Sequence, residues 1–194
     1  MGRLIPFVAC VLAASVAHAT VLVPAEFSEI VRGSQIIAYA RIVDARPAWA
    51  DGRRWIDTVV TAEVVSSLKG MSGSADETLT FKVPGGRLGR YRSVVVGAPV
   101  FAAGDEAVLF LKTRGSDLPD VFGLNQGVFR VVVDSRTGQR MVVPPPLMKA
   151  DDSPEPERVI RGSLDRRPMA FEAFGARVRD VLAKATAGVA KDAR

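Results

Sequence analysis

The strongest constraint on the fold is a series of short β-type segments, each closed by glycine, proline or a polar turn. In residues 78–83, Leu79, Phe81 and Val83 alternate with polar residues, which is the two-residue period of a strand with one buried face. Residues 56–68 alternate in the same way over a longer stretch. The chain is therefore predicted to be mainly β, with strands at 34–44, 56–68, 78–83, 91–96, 107–112, 127–134 and 139–143.

Glycine and proline mark where these strands end. Asp51-Gly52 predicts a turn between the first two strands, and residues 84–89, with Pro84 and three glycines, predict a connecting loop. Residues 135–138 predict a hairpin loop. Three consecutive prolines at 144–146 are predicted to end the sheet, because proline cannot donate to a strand ladder.

Two segments have a helical rather than a strand period. Residues 26–32 predict a short N-terminal helix that stops at Gly33. Residues 168–187 predict a C-terminal amphipathic helix that packs on the barrel and has Pro168 in its first turn. Its apolar stripe consists of Phe171, Phe174, Val178, Val181, Leu182 and Ala185.

The first nineteen residues have the pattern of an export signal. Arg3 is followed by an apolar run at 5–16, and Ala17-His18-Ala19 places small residues at the positions that signal peptidase requires. Cleavage after Ala19 predicts a periplasmic or secreted protein that begins at Thr20. The predicted organisation is a signal at 1–19, a β-barrel domain at 20–148, a polar linker at 149–167, the helix at 168–187 and a tail at 188–194.

The signal segment also contains the only cysteine and the only histidine, Cys10 and His18. The exported chain would lack thiols and imidazoles, so it would have no disulfide and none of the usual zinc ligands. We therefore predict neither a metal nor a cofactor. With 48% hydrophobic and 24% charged residues, the chain has the composition of a globular domain stabilised by its core.

The charge of the chain bears on its partners. The formal net charge is +5, and the arginines are scattered along the sequence, which is typical of a solvated surface. This makes nucleic acid an improbable ligand, and a protein or a cell-surface polymer is the predicted partner. No segment after the signal is apolar enough to remain in a membrane. The sequence indicates no oligomeric state.

The predicted ligand-binding residues lie in two places. In the glycine-rich segment 84–89, backbone amides would receive an anion, and Arg87, Arg90 and the neighbouring Tyr91 would add charge and an aromatic ring. Trp49 and Trp55 flank the turn at Asp51-Gly52. Burial in the core is the ordinary role of such tryptophans, whereas exposure would make them a stacking platform for a sugar or a protein.

Two kinds of hydrolytic site are alternatives to a binding function. Ser66 and Lys69 match the Ser-x-x-Lys spacing of penicillin-recognising enzymes, but a strand would point the two side chains to opposite faces. Carboxylates occur in three groups, and a glycosidase would need two of them to meet across a cleft. The groups are Asp51 with Asp57, Asp117 with Asp120, and Asp151 with Asp152.

Several short patterns occur in an order that resembles a known type of domain. Residues 63–70 contain Val-x-x-x-Leu-Lys-Gly at a strand end, and the glycine-containing turns and strands at 84–86, 97–101, 104–111 and 123–131 follow. Together they resemble uncharacterised secreted bacterial domains similar to the OB barrel of tissue inhibitors of metalloproteases and netrins. The resemblance spans residues 34–133 and implies a small closed antiparallel barrel with a helix against it.

The resemblance also implies an alternative function at the N-terminus. In the inhibitors, a disulfide-bonded leading cysteine clasps the zinc of the protease with its amine and carbonyl. This chain has no such cysteine, but Thr20 would present an amine, a carbonyl and a hydroxyl after cleavage.

Three functions follow, in order of preference. The first is a non-enzymatic exported domain that binds a protein or a cell-surface polymer. The second is a metalloprotease inhibitor or protease-associated chaperone acting through Thr20. The third is a carboxylate or Ser-Lys hydrolase.

Overall fold

The computed structural model describes residues 24–72, 74, 77–115, 117–146 and 167–192. It contains two helices, α1 (Phe27–Gly33) and α2 (Phe171–Asp192), and a 3₁₀ turn at Asp51–Arg53. The strands are β1 (Ile36–Ala50), β2 (Trp55–Lys69), β3 (Thr78–Pro84), β4 (Gly86–Leu88), β5 (Tyr91–Ser93), β6 (Glu106–Lys112), β7 (Asp120–Val121), β8 (Val128–Val133), β9 (Arg140–Val143) and β10 (Met169–Ala170).

Five strands close a barrel in the order β1-β2-β3-β7-β6, and β6 pairs back with β1. Every neighbouring pair is antiparallel except β3 and β7, which are parallel. Strands β8, β9 and β10 extend the sheet outward from β6. The prediction of a mainly β protein with a small OB-like barrel, a short N-terminal helix and a C-terminal helix is confirmed.

Strands β1 and β2 are each fifteen residues long and pair with each other from Ile37 to Ala50. Strand β6 pairs with β1 only as far as Arg41, so the second half of β1 pairs with β2 alone. We call the paired segments 45–50 and 55–60, with the turn between them, the arm. The small β4–β5 hairpin packs against one face of this arm, where the Thr58 hydroxyl donates to the Gly85 carbonyl at 2.7 Å.

The apolar side chains form two cores on either side of the barrel wall. The inner core fills the barrel, and the outer core lies between the barrel and the two helices. Strand β6 serves both, because Leu109 and Leu111 point inward whereas Val108 and Phe110 point to the helices. This explains why its sequence is a continuous apolar run rather than an alternating one.

Phenylalanine rings join the helices to the barrel in the outer core. The ring centroid of Phe27 in α1 lies 5.5 Å from that of Phe174 in α2, and both rings contact Phe110 and Phe129 in edge-on or tilted arrangements. Val178, one turn beyond Phe174, is fully buried. The predicted apolar stripe is therefore the packed face of α2.

The end of β2 is built around a lysine and a glycine. The Lys69 ammonium donates to the backbone carbonyls of Val31, Arg32 and Ser34, where α1 ends and the chain turns into β1. Gly70 has φ +77°, and a Cβ atom there would lie 2.0 Å from the Gln35 carbonyl oxygen. The Leu-Lys-Gly pattern thus fastens the end of β2 to the helix–strand junction.

The structure corrects several predicted boundaries. Residues 86–88 form strand β4 rather than a loop, because Gly86 lets the backbone lie against the arm where a Cβ would approach Thr58 Oγ1 to 2.8 Å. Strand β5 ends at Ser93 instead of residue 96. Helix α2 begins at Phe171 rather than Pro168, because Met169 and Ala170 pair with β9. That pairing also extends the sheet beyond the prolines at 144–146.

A polar group fastens β1 to β6 on the outside of the barrel. The buried Tyr39 hydroxyl donates to Glu106, and Arg41 donates to the same carboxylate at 3.1 Å. The hydrogen bond from Tyr39 lowers the pKa of Glu106. Burial raises this pKa, and Arg41 lowers it further, so the pKa in the folded protein is below its usual value. Burial and the hydrogen bond to Glu106 raise the pKa of Tyr39.

We expect Glu106 to contribute to the loss of stability in acid. Because the folded state lowers the pKa of Glu106, its stabilising effect is complete above the pKa of an unfolded glutamate, about 4.3. It is lost as the pH falls through the lower folded value. Chemical denaturation of Glu106→Gln between pH 7 and pH 3 should show a smaller loss of unfolding free energy than the parent.

The matched control is Asp117→Asn, which removes an exposed carboxyl group from the loop before β7. Its pH profile should follow that of the parent. Superimposable profiles for Glu106→Gln and the parent would contradict the role assigned to Glu106.

Candidate functional site

The exposed end of the arm and the β4–β5 hairpin bring arginine and aromatic side chains together. The rings of Trp49 and Tyr91 meet edge-on, with their centroids 5.2 Å apart. Arg90 lies over the Tyr91 ring at 5.0 Å and donates to the Tyr91 hydroxyl at 2.9 Å. We call Trp49, Arg87, Arg90, Tyr91 and Arg92 the tip cluster. Four of these five residues are predicted ligand-binding residues.

The hairpin has one face against the arm and one in solvent. Leu88 pairs with Tyr91 and Arg87 pairs with Arg92, so these two pairs lie on opposite faces. Tyr91 contacts Trp49 of the arm, whereas Arg87 and Arg92 are exposed. Arg87 and Arg92 are thus directly opposite each other on the solvent face of the hairpin, and Arg87 Nε donates to the Gly89 carbonyl at 3.5 Å. Like charges directly opposite each other destabilise a strand pair.

The end of the molecule that carries the tip cluster is rich in arginine. Arg46 pairs with Asp44 at 2.7 Å, and Arg54 pairs with Asp51 at 3.3 Å. In contrast, Arg87, Arg90 and Arg92 form no ion pair with any residue that the structure describes. Three positive charges thus lie within six residues of sequence, and among the described residues no carboxylate forms an ion pair with them.

Trp55, the fifth predicted ligand-binding residue, lies apart from the tip cluster. Trp49 pairs with Ile56 and Ala50 with Trp55, so the two tryptophans point to opposite faces of the arm. The expectation that Trp55 is buried is wrong, since 47% of the residue is exposed. A single platform made of both tryptophans does not form.

The face that carries Trp55 holds a small polar group from three neighbouring strands. Trp55 and Asp57 are two residues apart in β2 and share a face, and Lys82 Nζ lies 3.9 Å from Asp120 Oδ1. Burial raises the pKa of Asp57, assisted by the charge of Asp120 and opposed by that of Lys82. Asp51, which the sequence groups with Asp57, pairs with Arg54 instead, whereas Asp57 is close enough to Asp120 to feel its charge because β3 and β7 run side by side.

The Ser-Lys hydrolase prediction concerns residues that have other contacts. Ser66 lies opposite Tyr39 in the β1–β2 ladder, whereas Lys69 contacts the carbonyls at the end of α1.

Residues 149–166 and 193–194 lie outside the described residues, as do the predicted signal segment, Asp151, Asp152 and Thr20. Inhibition through Thr20 stays a prediction.

An open cleft of about 300 Å³ lies beside the last strands of the sheet. Proline and other apolar residues form most of its lining, and Arg130 is its charged residue. Arg130 already donates to Asp105 at 2.8 Å and to the Val100 carbonyl. The charge of the cleft is therefore already balanced by Asp105, whereas the arginines of the tip cluster have no ion-pair partner among the described residues.

Two features of the tip were missed in the sequence. Arg92 was not among the predicted ligand residues, because its position opposite Arg87 depends on a two-residue turn at Gly89-Arg90. The glycine after Leu88 was the available signal for this hairpin. The second feature is Val94–Val96, which was predicted as strand; these residues lie beyond the end of β5 and their side chains are exposed.

Within the described residues, no helix has both the length and the apolar character needed to cross a membrane. Comparison with protein-family models, with curated proteins and with solved structures finds no match for this chain.

Proposed function

We propose that this protein is an exported, non-enzymatic binding domain that holds an anionic partner, a protein or a cell-surface polymer, at the tip cluster. The observation that carries the proposal is the placement of Arg87 and Arg92 opposite each other on an exposed face, where neither forms an ion pair with a residue in the described part of the chain. Export is supported by the signal pattern before Thr20.

The proposal has an electrostatic reason. Arg87 and Arg92 carry like charges next to each other, and a bound anion would offset the repulsion between them. Two neighbouring guanidinium groups repel each other, and an anion between them would accept hydrogen bonds from both. The fork of donors on arginine matches carboxylate, sulfate and phosphate groups. On the opposite face of the hairpin, the Tyr91 ring packs on Trp49 and its hydroxyl accepts a hydrogen bond from Arg90.

Binding of a polyanion should depend on the paired arginines. We expect Arg87→Ala combined with Arg92→Ala to weaken binding of dextran sulfate at least about tenfold, because two charge-assisted contacts are lost at a total cost of about 1.4 kcal/mol or more. Titration calorimetry at low and at physiological salt measures this effect. The dissociation constant of the parent should rise with salt, since the interaction is between exposed charges.

The matched control is Arg114→Ala combined with Arg136→Ala, which removes the same charge from exposed arginines elsewhere. It should change the affinity by no more than about twofold. The hairpin variant should also be at least as stable as the parent in thermal unfolding, because it removes the repulsion across the hairpin. Equal weakening by both double variants would show that only net charge matters, and would overturn the proposed site.

A further inference from the structure

The turn at the end of the arm holds an arginine in an unfavourable backbone conformation. Arg53 has φ +69°, in the left-handed region that residues with a Cβ atom rarely occupy. Glycine adopts this conformation without the steric cost. Backbone strain of this kind is concentrated at functional sites, so it points to a role for the Arg53 side chain outside the turn.

The charge of Arg53 is open to a ligand. Its side chain is exposed and forms no ion pair with any residue that the structure describes. The neighbouring Arg54 instead pairs with Asp51 at 3.3 Å. Of the two arginines in the turn, the strained one is therefore the one that lacks a carboxylate partner in the described part of the chain.

An exposed aromatic ring lies close to this arginine. Trp55 is 47% exposed, and two residues of backbone span at most about 7 Å, so one ligand unit can reach both Arg53 and Trp55. Across the ladder, Ala50 pairs with Trp55 and Ala48 with Asp57, so the neighbouring strand offers no large side chain to cover the ring. An open indole ring is a stacking surface for the apolar face of a sugar.

We infer that the end of the arm is a second contact site for the partner of the tip cluster, and that this partner is an acidic polysaccharide. The inference rests on the proposed function and selects the polymer over a protein. A sugar ring would stack on Trp55, and its sulfate, phosphate or carboxylate group would accept hydrogen bonds from Arg53. Trp49 connects the two sites, because its ring contacts Tyr91 and its strand leads directly into the turn. Single exposed charge pairs contribute little, so a polymer that contacts both sites at once gains affinity by multivalency.

The groups around Trp55 favour a sugar over an acidic polypeptide. Asp57 shares a face with Trp55 and forms no ion pair in the described part of the chain. Its carboxylate would accept hydrogen bonds from sugar hydroxyls, whereas it would repel the carboxylates of an acidic peptide. A charged sugar unit carries hydroxyls, an apolar ring face and an anionic group together, and these match Asp57, Trp55 and Arg53.

The test compares the binding of dextran sulfate, unsulfated dextran and poly-glutamate. Trp55→Ala should weaken dextran sulfate binding about fivefold or more and change poly-glutamate binding by no more than about twofold. Trp55→Phe keeps a ring and should retain most of the affinity. Dextran sulfate should shift the tryptophan emission of the parent to shorter wavelength as the indole leaves water, and Trp55→Phe should remove most of this shift. Unsulfated dextran should bind at least about tenfold more weakly than dextran sulfate, because it makes no charge contacts.

Arg53→Gly separates a binding role from a structural one. Glycine accepts the left-handed backbone, so the variant should melt at or above the temperature of the parent and yet bind dextran sulfate about fivefold more weakly. The matched control is Arg54→Ala, which removes the same charge from the neighbouring arginine that pairs with Asp51. It should change the affinity by no more than about twofold.

The outcomes separate this inference from the proposed function. If either Trp55→Ala or Arg53→Gly leaves dextran sulfate binding unchanged while Arg87→Ala with Arg92→Ala weakens it, the second site is overturned and the anion site stands. Poly-glutamate binding that equals that of dextran sulfate and falls equally in Trp55→Ala would overturn the polysaccharide in favour of an acidic protein. If the hairpin double variant leaves dextran sulfate binding unchanged, or unsulfated dextran binds as tightly, the proposed function itself fails.

Discussion

Replacing Phe110 by alanine is expected to lower the free energy of unfolding by about 3–5 kcal/mol. Phe110 is fully buried on the strand that both cores share, and its ring centroid lies 6.2 Å from that of Phe27, 5.2 Å from Phe129 and 6.2 Å from Phe174. The variant loses the transfer free energy of a large ring. It also leaves a cavity between the barrel and both helices, which cannot close without moving several elements.

Thermal and urea unfolding would measure this loss, with an expected fall in midpoint of about 6–20 °C for a domain of this size. Phe110→Leu keeps most of the volume and should cost less than Phe110→Ala. Val133→Ala, at an exposed strand end, should stay within about 0.5 kcal/mol of the parent. A loss below about 1 kcal/mol for Phe110→Ala would mean that the outer core is not packed as described.

Gly70→Ala is the second substitution with a large expected effect. A Cβ at this position would lie 2.0 Å from the Gln35 carbonyl oxygen and 3.3 Å from the Ile36 Cα, so the start of β1 would have to shift. The left-handed backbone adds a further cost of about 1–2 kcal/mol, and overpacking typically adds about 1–3 kcal/mol. We expect a total loss of about 2–5 kcal/mol in urea unfolding.

Gly138→Ala separates these two contributions. Gly138 has φ +70°, close to that of Gly70, but no atom lies within 4 Å of the Cβ it would acquire. Its loss should therefore be about 1–2 kcal/mol, from the backbone alone. Equal losses for the two variants would show that the contact with Gln35 relaxes at little cost.

Local periodicity predicted most strands correctly, because apolar and polar residues alternate along a strand that has one buried and one exposed face. Leu79, Phe81 and Val83 of β3 are buried as expected, and the helical stripe through Phe174 and Val178 faces the outer core. Strands β7 and β10 were missed, since two residues give no period. They are strands only because β3, β6 and β9 offer them partners.

The candidate site was predictable in part. Arg87, Arg90 and Tyr91 were selected from a glycine-rich segment, and the structure brings Trp49 to them. Trp55 lies on the opposite face, because the pairing of Trp49 with Ile56 sets the parity of the arm, that is, which of its residues share a face. That parity depends on the length of the turn at Asp51–Arg53, which the residues of the turn do not reveal alone.

The amino-acid sequence by itself determined the mainly β class, the apolar faces of the long strands and the two helices, because these follow from interactions between near neighbours. Only the tertiary structure decided that β6 closes onto β1, that Lys69 binds the end of α1, and that Arg87 faces Arg92 on the exposed face of the β4–β5 hairpin. Each of these depends on contacts between residues brought together by the register and closure of the sheet, and a linear pattern does not specify either.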